Sequence, residues 1–214
     1  MKLYLSSYGL GKEKDFLEKW IKEHNNKVLV IVNAMDIYRD GKSRVGRIIK
    51  KCKELKELGV ELTLLDLRYY FDKKEKLIES LKDFKTVYVH GGNVFILNRA
   101  MRLSGFNEYL MSKVNDDDFL YFGQGSGACV LSKSLEGLNL IDTSEYDPYN
   151  SKIDPMIGLG ILDYLIVPHF KTDNPEMPNM DKVINYLEEK KSNYKPLSDG
   201  DVIVESTKKM EKEI

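Results

Sequence analysis

Tyr121-Phe122-Gly123-Gln124-Gly125-Ser126-Gly127-Ala128 decides how this chain is read. The stretch opens inside the apolar run 119–122 and reads as a strand, a tight turn and the start of a helix. Gly123 and Gly127 fill the outer positions of a G-x-S-x-G nucleophile elbow. That turn lifts one side chain out of a sheet and sets backbone N–H groups behind it to hold an oxyanion. Here the position between the outer glycines is Gly125, and the serine, Ser126, comes one residue later. The frame of the elbow is present and its nucleophile is missing or displaced.

Outward from the elbow, short runs rich in Val, Ile, Leu and Tyr alternate with longer amphipathic segments. The strand candidates are 3–6, 28–32, 62–65, 86–90, 119–123 and 162–167. Helices are expected at about 12–24, 42–58, 75–82, 94–102, 127–132 and 180–191. Apolar strands separated by helices predict an α/β fold, a mostly parallel sheet with helices on both faces. Ligands in such sheets bind beyond the carboxyl ends of the strands. Three further motifs fall there: Asn33-Ala34, His90-Gly91-Gly92-Asn93 and Pro168-His169-Phe170. No internal repeat or linker interrupts the pattern, so one domain over 1–214 is expected. The polar segment 136–154 reads as a long rim loop, and the charged tail 206–214 reads as fraying.

The bulk composition narrows the function. The 214 residues carry 33 Lys+Arg against 34 Asp+Glu, a net charge of −1, so neither nucleic acid nor an anionic membrane is indicated as a partner. The lysines of 42–56 alternate with apolar residues at helical spacing and form a solvated face. No apolar run reaches the roughly 18 residues of a membrane span, and the N-terminus lacks a signal-peptide core. Cys52 and Cys129 show no C-x-x-C spacing, which fits a reducing, cytoplasmic setting without a zinc site. Gly9-Leu10-Gly11 lacks the third glycine of a dinucleotide fingerprint. Asp116-Asp117-Asp118 reads as a solvated turn, since three consecutive carboxylates do not converge on one ion without a special loop. No cofactor or metal is expected.

The remaining residues assemble a candidate site. Gly91 and Gly92 let backbone approach a ligand closely, and Asn93 suits a helix N-cap. His169 ends an apolar strand and can act as a general base toward the elbow. His24 reads as structural and His90 as lining. A carboxylate must orient His169, and Asp142, Glu145, Asp147, Asp154 and Asp163 are all candidates by residue type and chain order.

Together, His90-Gly91-Gly92-Asn93, the elbow and Pro168-His169-Phe170 resemble the peptidase E (aspartyl dipeptidase) family of serine peptidases, whose larger relatives are the cyanophycinases. The resemblance extends over nearly the whole chain, to a C-terminal strand at 199–204. It implies a flavodoxin-like three-layer sandwich, class I glutamine amidotransferase-like, and cleavage of short peptides near the N-terminus. Family members carry G-x-S-A-G-A at the elbow; laid on this chain, the serine falls on Gly125 and the alanine on Ser126. The resemblance places the histidine on His169 and its acidic partner near Asp147, with Glu145 as a fallback. It places the oxyanion donors on the N–H groups of Ser126 and of Gly92 or Asn93, in the turn opened by Gly91. Selection of an N-terminal aspartate would fall to Lys171 or Lys182. Two functions follow: a hydrolase using Ser126, or an inactive relative binding a short peptide or small acidic ligand, with a homodimer left open. A thiol enzyme using Cys129 is disfavoured, because that residue lies a helical turn beyond the apex.

Overall fold

The computed structural model describes residues 1–174 and 179–207. In chain order the strands are β1 (Lys2–Ser6), β2 (Lys27–Ile31), β3 (Glu61–Leu65), β4 (Thr86–Val89), β5 (Leu120–Gln124), β6 (Leu165–Val167), β7 (Tyr194–Pro196) and β8 (Val202–Ser206). The helices are α1 (Lys14–Glu23), α2 (Gly41–Lys56), α3 (Lys74–Leu81), α4 (Val94–Ser104), α5 (Phe106–Ser112), α6 (Ser126–Cys129) and α7 (Asp181–Glu189). The main sheet runs β3-β2-β4-β5-β1-β8, parallel throughout except for β8, which is antiparallel to β1.

Alternation along the strands builds the three layers. Tyr4, Val28, Val30, Tyr88 and Phe122 point to one face and are covered by Leu17, Trp20 and Ile21 of α1 and Ile48 and Leu55 of α2. Leu3, Leu5, Leu29, Ile31, Val87, Val89 and Tyr121 point to the other, under α3, α4, α5, α6 and α7. Side chains of this size stabilise by roughly 1.5–3 kcal/mol each when fully buried, so the central strands are fixed from both sides. Among the described residues no helix is long and apolar enough to cross a membrane.

Three expectations change. The stretch 162–167 does not join the main sheet: only 165–167 is strand, and it pairs with β7 in a separate two-stranded parallel sheet. Its neighbour is α6, where the Cys129 thiol donates to the Ile166 carbonyl at 3.3 Å. Second, α6 stops at Cys129, because the chain beyond it turns to pair with 157–162: the N–H groups of Ile161 and Leu162 both donate to Leu131 O. Third, α5 follows α4 through Gly105, whose φ of +80° ends one helix and starts the next. Of the tail 206–214, residues 208–214 lie outside the described residues.

The elbow glycines are packing requirements. A Cβ on Gly127 would stand 2.2 Å from the Val89 carbonyl oxygen, and one on Gly123 would stand 2.5 Å from that of Gly127. Gly46, within α2, has open space around it. Gly127→Ala should therefore lower stability by about 2–3 kcal/mol through overpacking, whereas Gly46→Ala should raise it by about 0.5–1 kcal/mol through helix propensity. Chemical denaturation of both variants against the parent checks the opposite signs.

Candidate active site

β5 ends at Gln124 and the chain reverses into α6 through Gly125, at φ +52° and ψ −115°. An L side chain is strained there, as elbow residues characteristically are. The Gly125 N–H donates to Ser6 O at 2.9 Å, and its carbonyl accepts from Ala128 and Cys129. A Cβ at this apex would meet nothing nearer than Ser7 O at 3.6 Å and Gly91 Cα at 3.8 Å. The apex is open, shaped for a side chain, and bare.

The turn after β4 forms the adjoining wall. Gly92 has φ +148° and lies so close to the neighbouring loop that a Cβ would sit 2.5 Å from Ala34 O. Asn93 donates its N–H to Ala34 O at 3.0 Å. Its side chain caps α4 by accepting from Ile96 N–H at 3.0 Å, and its amide donates to Thr143 O at 2.9 Å. Ser126 is joined to this turn: its hydroxyl donates to Gly92 O at 2.5 Å, and Gly92 N–H points back at Oγ over 3.3 Å.

His169 comes from the turn after β6, at φ +57°. Its N–H donates to Ser7 Oγ at 2.8 Å, and Ser7 O is the nearest neighbour of the Gly125 apex. Ser7 thus borders both groups. The His169 ring places Nδ1 2.7 Å from Asp199 Oδ1 and stands edge-on to Tyr8, with centroids 5.9 Å apart. Asp199 also accepts from Thr172 Oγ1 at 2.5 Å and from Ser7 Oγ at 3.3 Å. Burial alone would raise the Asp199 pKa, but these hydrogen bonds and the nearby imidazole outweigh it and hold the carboxyl below its ordinary range. A carboxylate on Nδ1 fixes the tautomer and leaves Nε2 for ligand.

The carboxylate on His169 is Asp199, not Asp147. Asp147 faces elsewhere: it accepts from Tyr149 N–H and from the N–H and hydroxyl of Ser151, and pairs with Arg99 at 3.3 Å. These bonds fold the rim loop on itself and onto α4. Asp154 caps its own turn at Met156, and Asp163 lines a cavity bounded by Lys2 and Glu205, residues of β1 and β8. Sequence reasoning missed Asp199 because it treated 199–204 only as a strand. The available signal was Ser198-Asp199-Gly200-Asp201, a polar turn after β7, the strand that pairs beside the histidine's own.

The other candidates resolve as packing. His90 is buried; desolvation, with Lys51 and Arg47 nearby, brings its pKa down to about 4, and its Nδ1 lies 2.7 Å from Gly91 O. Burial drives the Cys129 thiol far above its usual range, which removes a thiolate nucleophile. His24 bonds Trp20 O and Asp118. Among the described residues no cluster of His, Cys, Asp or Glu is arranged to hold a metal ion.

With this geometry in place, comparison with known proteins is informative. The family model for peptidase family S51 matches residues 9–212. Of solved structures, a peptidase E-type protein from Listeria monocytogenes EGD-e aligns with TM-score 0.74 at 18% identity, covering 96% of this chain and 98% of that one. A peptidase from an acI-B1 Actinobacterium aligns with TM-score 0.67 at 18% identity, covering 96% and 83%. At that identity the structures establish the fold. No curated protein matches the chain significantly by sequence.

The site's rim contains a second perturbed acid. Asp142 is pushed up to about 6 by burial, opposed by a 3.3 Å hydrogen bond from Val94 N–H at the start of α4. The folded state therefore holds this proton more tightly than the unfolded chain does. Stability contributed here is present at low pH and lost as pH rises from about 4 to about 6. Asp142→Asn should abolish that fall, leaving the variant more stable than the parent above pH 6 in paired denaturation series.

Proposed function

The chain belongs to peptidase family S51, and from that membership and the bare elbow apex we propose that it binds short peptides without cleaving them. The observation that carries this reading is Gly125: the backbone there keeps the strained form of a nucleophile elbow, yet no hydroxyl or thiol is attached. Loss of a triad serine costs on the order of 10⁶ in turnover. About 10³–10⁴ over water can survive from binding and oxyanion stabilisation, too little for a working peptidase. The rest of the site supports recognition. His169, oriented by Asp199, offers Nε2 to a ligand carbonyl or amide, and the half-exposed Tyr8 offers an aromatic edge beside it. The ligand is a short peptide. The two free cysteines support a cytoplasmic setting.

A second reading, hydrolysis through Ser126, rests on that hydroxyl lying at the site beside Gly92. The same contact weighs against it, because the hydroxyl proton is directed at Gly92 O and not at His169.

A fluorophosphonate probe, with the modified residue located by peptide mass spectrometry, separates the two. The native protein should give no adduct. Gly125→Ser should give an adduct at position 125 that disappears when His169 is also replaced by Ala. A native adduct on Ser126 that requires His169 would overturn the proposal in favour of the relocated nucleophile.

A further inference from the structure

We infer that Ser126 stops the oxyanion donor of this site, closing it to tetrahedral, anion-forming ligands and reserving it for neutral, planar carbonyl groups. The inference deepens the proposal above and rests on the same reading of Gly125 as the apex.

Two N–H groups border that apex: Gly92 N–H, from the turn after β4, and Ser126 N–H, at the first residue of α6. The Ser126 N–H has no hydrogen-bond partner among the described residues. Gly92 N–H is already engaged, by the Ser126 hydroxyl. That hydroxyl is itself anchored: its proton goes to Gly92 O at 2.5 Å, so one oxygen caps the N–H and the C=O of the same residue. The Gly92 carbonyl that anchors the hydroxyl is itself held. Asn93, in the same peptide, donates its N–H to Ala34 O, and its side chain is tied to Ile96 N–H and Thr143 O. Removal or rotation of the Ser126 side chain frees the donor.

The chemical consequence concerns charge. A tetrahedral oxyanion needs donors that are unoccupied and already aimed, and each one removed typically costs 10²–10³ in rate. With Gly92 N–H capped by a hydroxyl whose own proton points elsewhere, the oxyanion would meet an oxygen lone pair in place of one donor. A planar carbonyl carries less charge and is satisfied by the Ser126 N–H alone. Ser126 therefore acts as a specificity-determining residue, selecting the ligand's charge state at the apex.

The test compares fluorophosphonate labelling rates of Gly125→Ser and of Gly125→Ser/Ser126→Ala. In both, the introduced hydroxyl would attack phosphorus and expel fluoride, its proton passing to His169, while the phosphoryl oxygen takes the oxyanion position. The double variant should label at least tenfold faster. Equal rates, or a slower double variant, would overturn the inference. If neither variant labels, the reading of the apex as a nucleophile position fails. The hydroxyl contact is then judged alone, by amide hydrogen exchange in the otherwise native protein. Ser126→Ala should speed exchange at Gly92 about tenfold or more, and unchanged Gly92 exchange would overturn the inference.

Discussion

The close approach of α6 to β4 at Gly127 is the constraint on which the site depends. With Val89 O 2.2 Å from where a Cβ would be, the first turn of α6 is pressed against the end of the neighbouring strand. That proximity bends the chain sharply at Gly125, so that a Cβ at the apex would lie 3.8 Å from Gly91 Cα. It also puts Ser126 within hydrogen-bond reach of Gly92. Gly123 serves the same geometry from the strand side, where Tyr121 locks the turn by donating its hydroxyl to Gly127 O at 2.6 Å. Interiors of this density do not deform gradually, so the elbow persists whether or not a nucleophile stands on it.

The histidine is positioned by a different route. β6 and β7 stand outside the main sheet, and their pairing carries 168–170 and 198–199 to the same end, with Phe170 N–H donating to Leu197 O. Ser7, at the end of β1, joins this unit to the main sheet by accepting from His169 N–H and donating to Asp199. The Asp199 carboxylate consequently meets three partners on two segments, Ser7 after β1 and His169 and Thr172 after β6. Such a network is satisfied only when all three are in place, so His169 is held by tertiary structure although its backbone occupies the left-handed region.

Legibility in the sequence followed the range of the interactions. The strands of the main sheet, the elbow and the Gly91-Gly92-Asn93 turn are local features, governed by period, glycine spacing and a cap, and residues 86–93 and 119–127 display them directly. Family membership followed from the order of three such local motifs. Asp199 was legible only as part of a polar turn, because its link to His169 crosses 30 positions and depends on the parallel pairing of two three-residue strands. Runs that short have no period to detect. The family resemblance put the acid near Asp147, but Arg99, on a buried face of α4, captures it. Nothing in residue type distinguishes a carboxylate that meets an arginine from one that meets a histidine.

On the proposed reading, Gly125 lets the site keep its form without a side chain at the apex. At φ +52° and ψ −115° an L residue pays roughly 1–3 kcal/mol in strain, which an enzyme tolerates because the strain lifts its nucleophile. Glycine adopts the same angles without that cost. Replacing the apex side chain with hydrogen therefore relaxes the backbone while leaving each neighbour in contact, since nothing lies within 3.6 Å of the missing Cβ. No cavity opens in the core, and the hydrogen bonds of Gly125 to Ser6, Ala128 and Cys129 involve backbone only. On the proposed reading, glycine at the apex relieves strain and leaves the surrounding surface intact. His169 with Asp199 and the capped Gly92 turn stand around that apex unchanged by the absence of a side chain there.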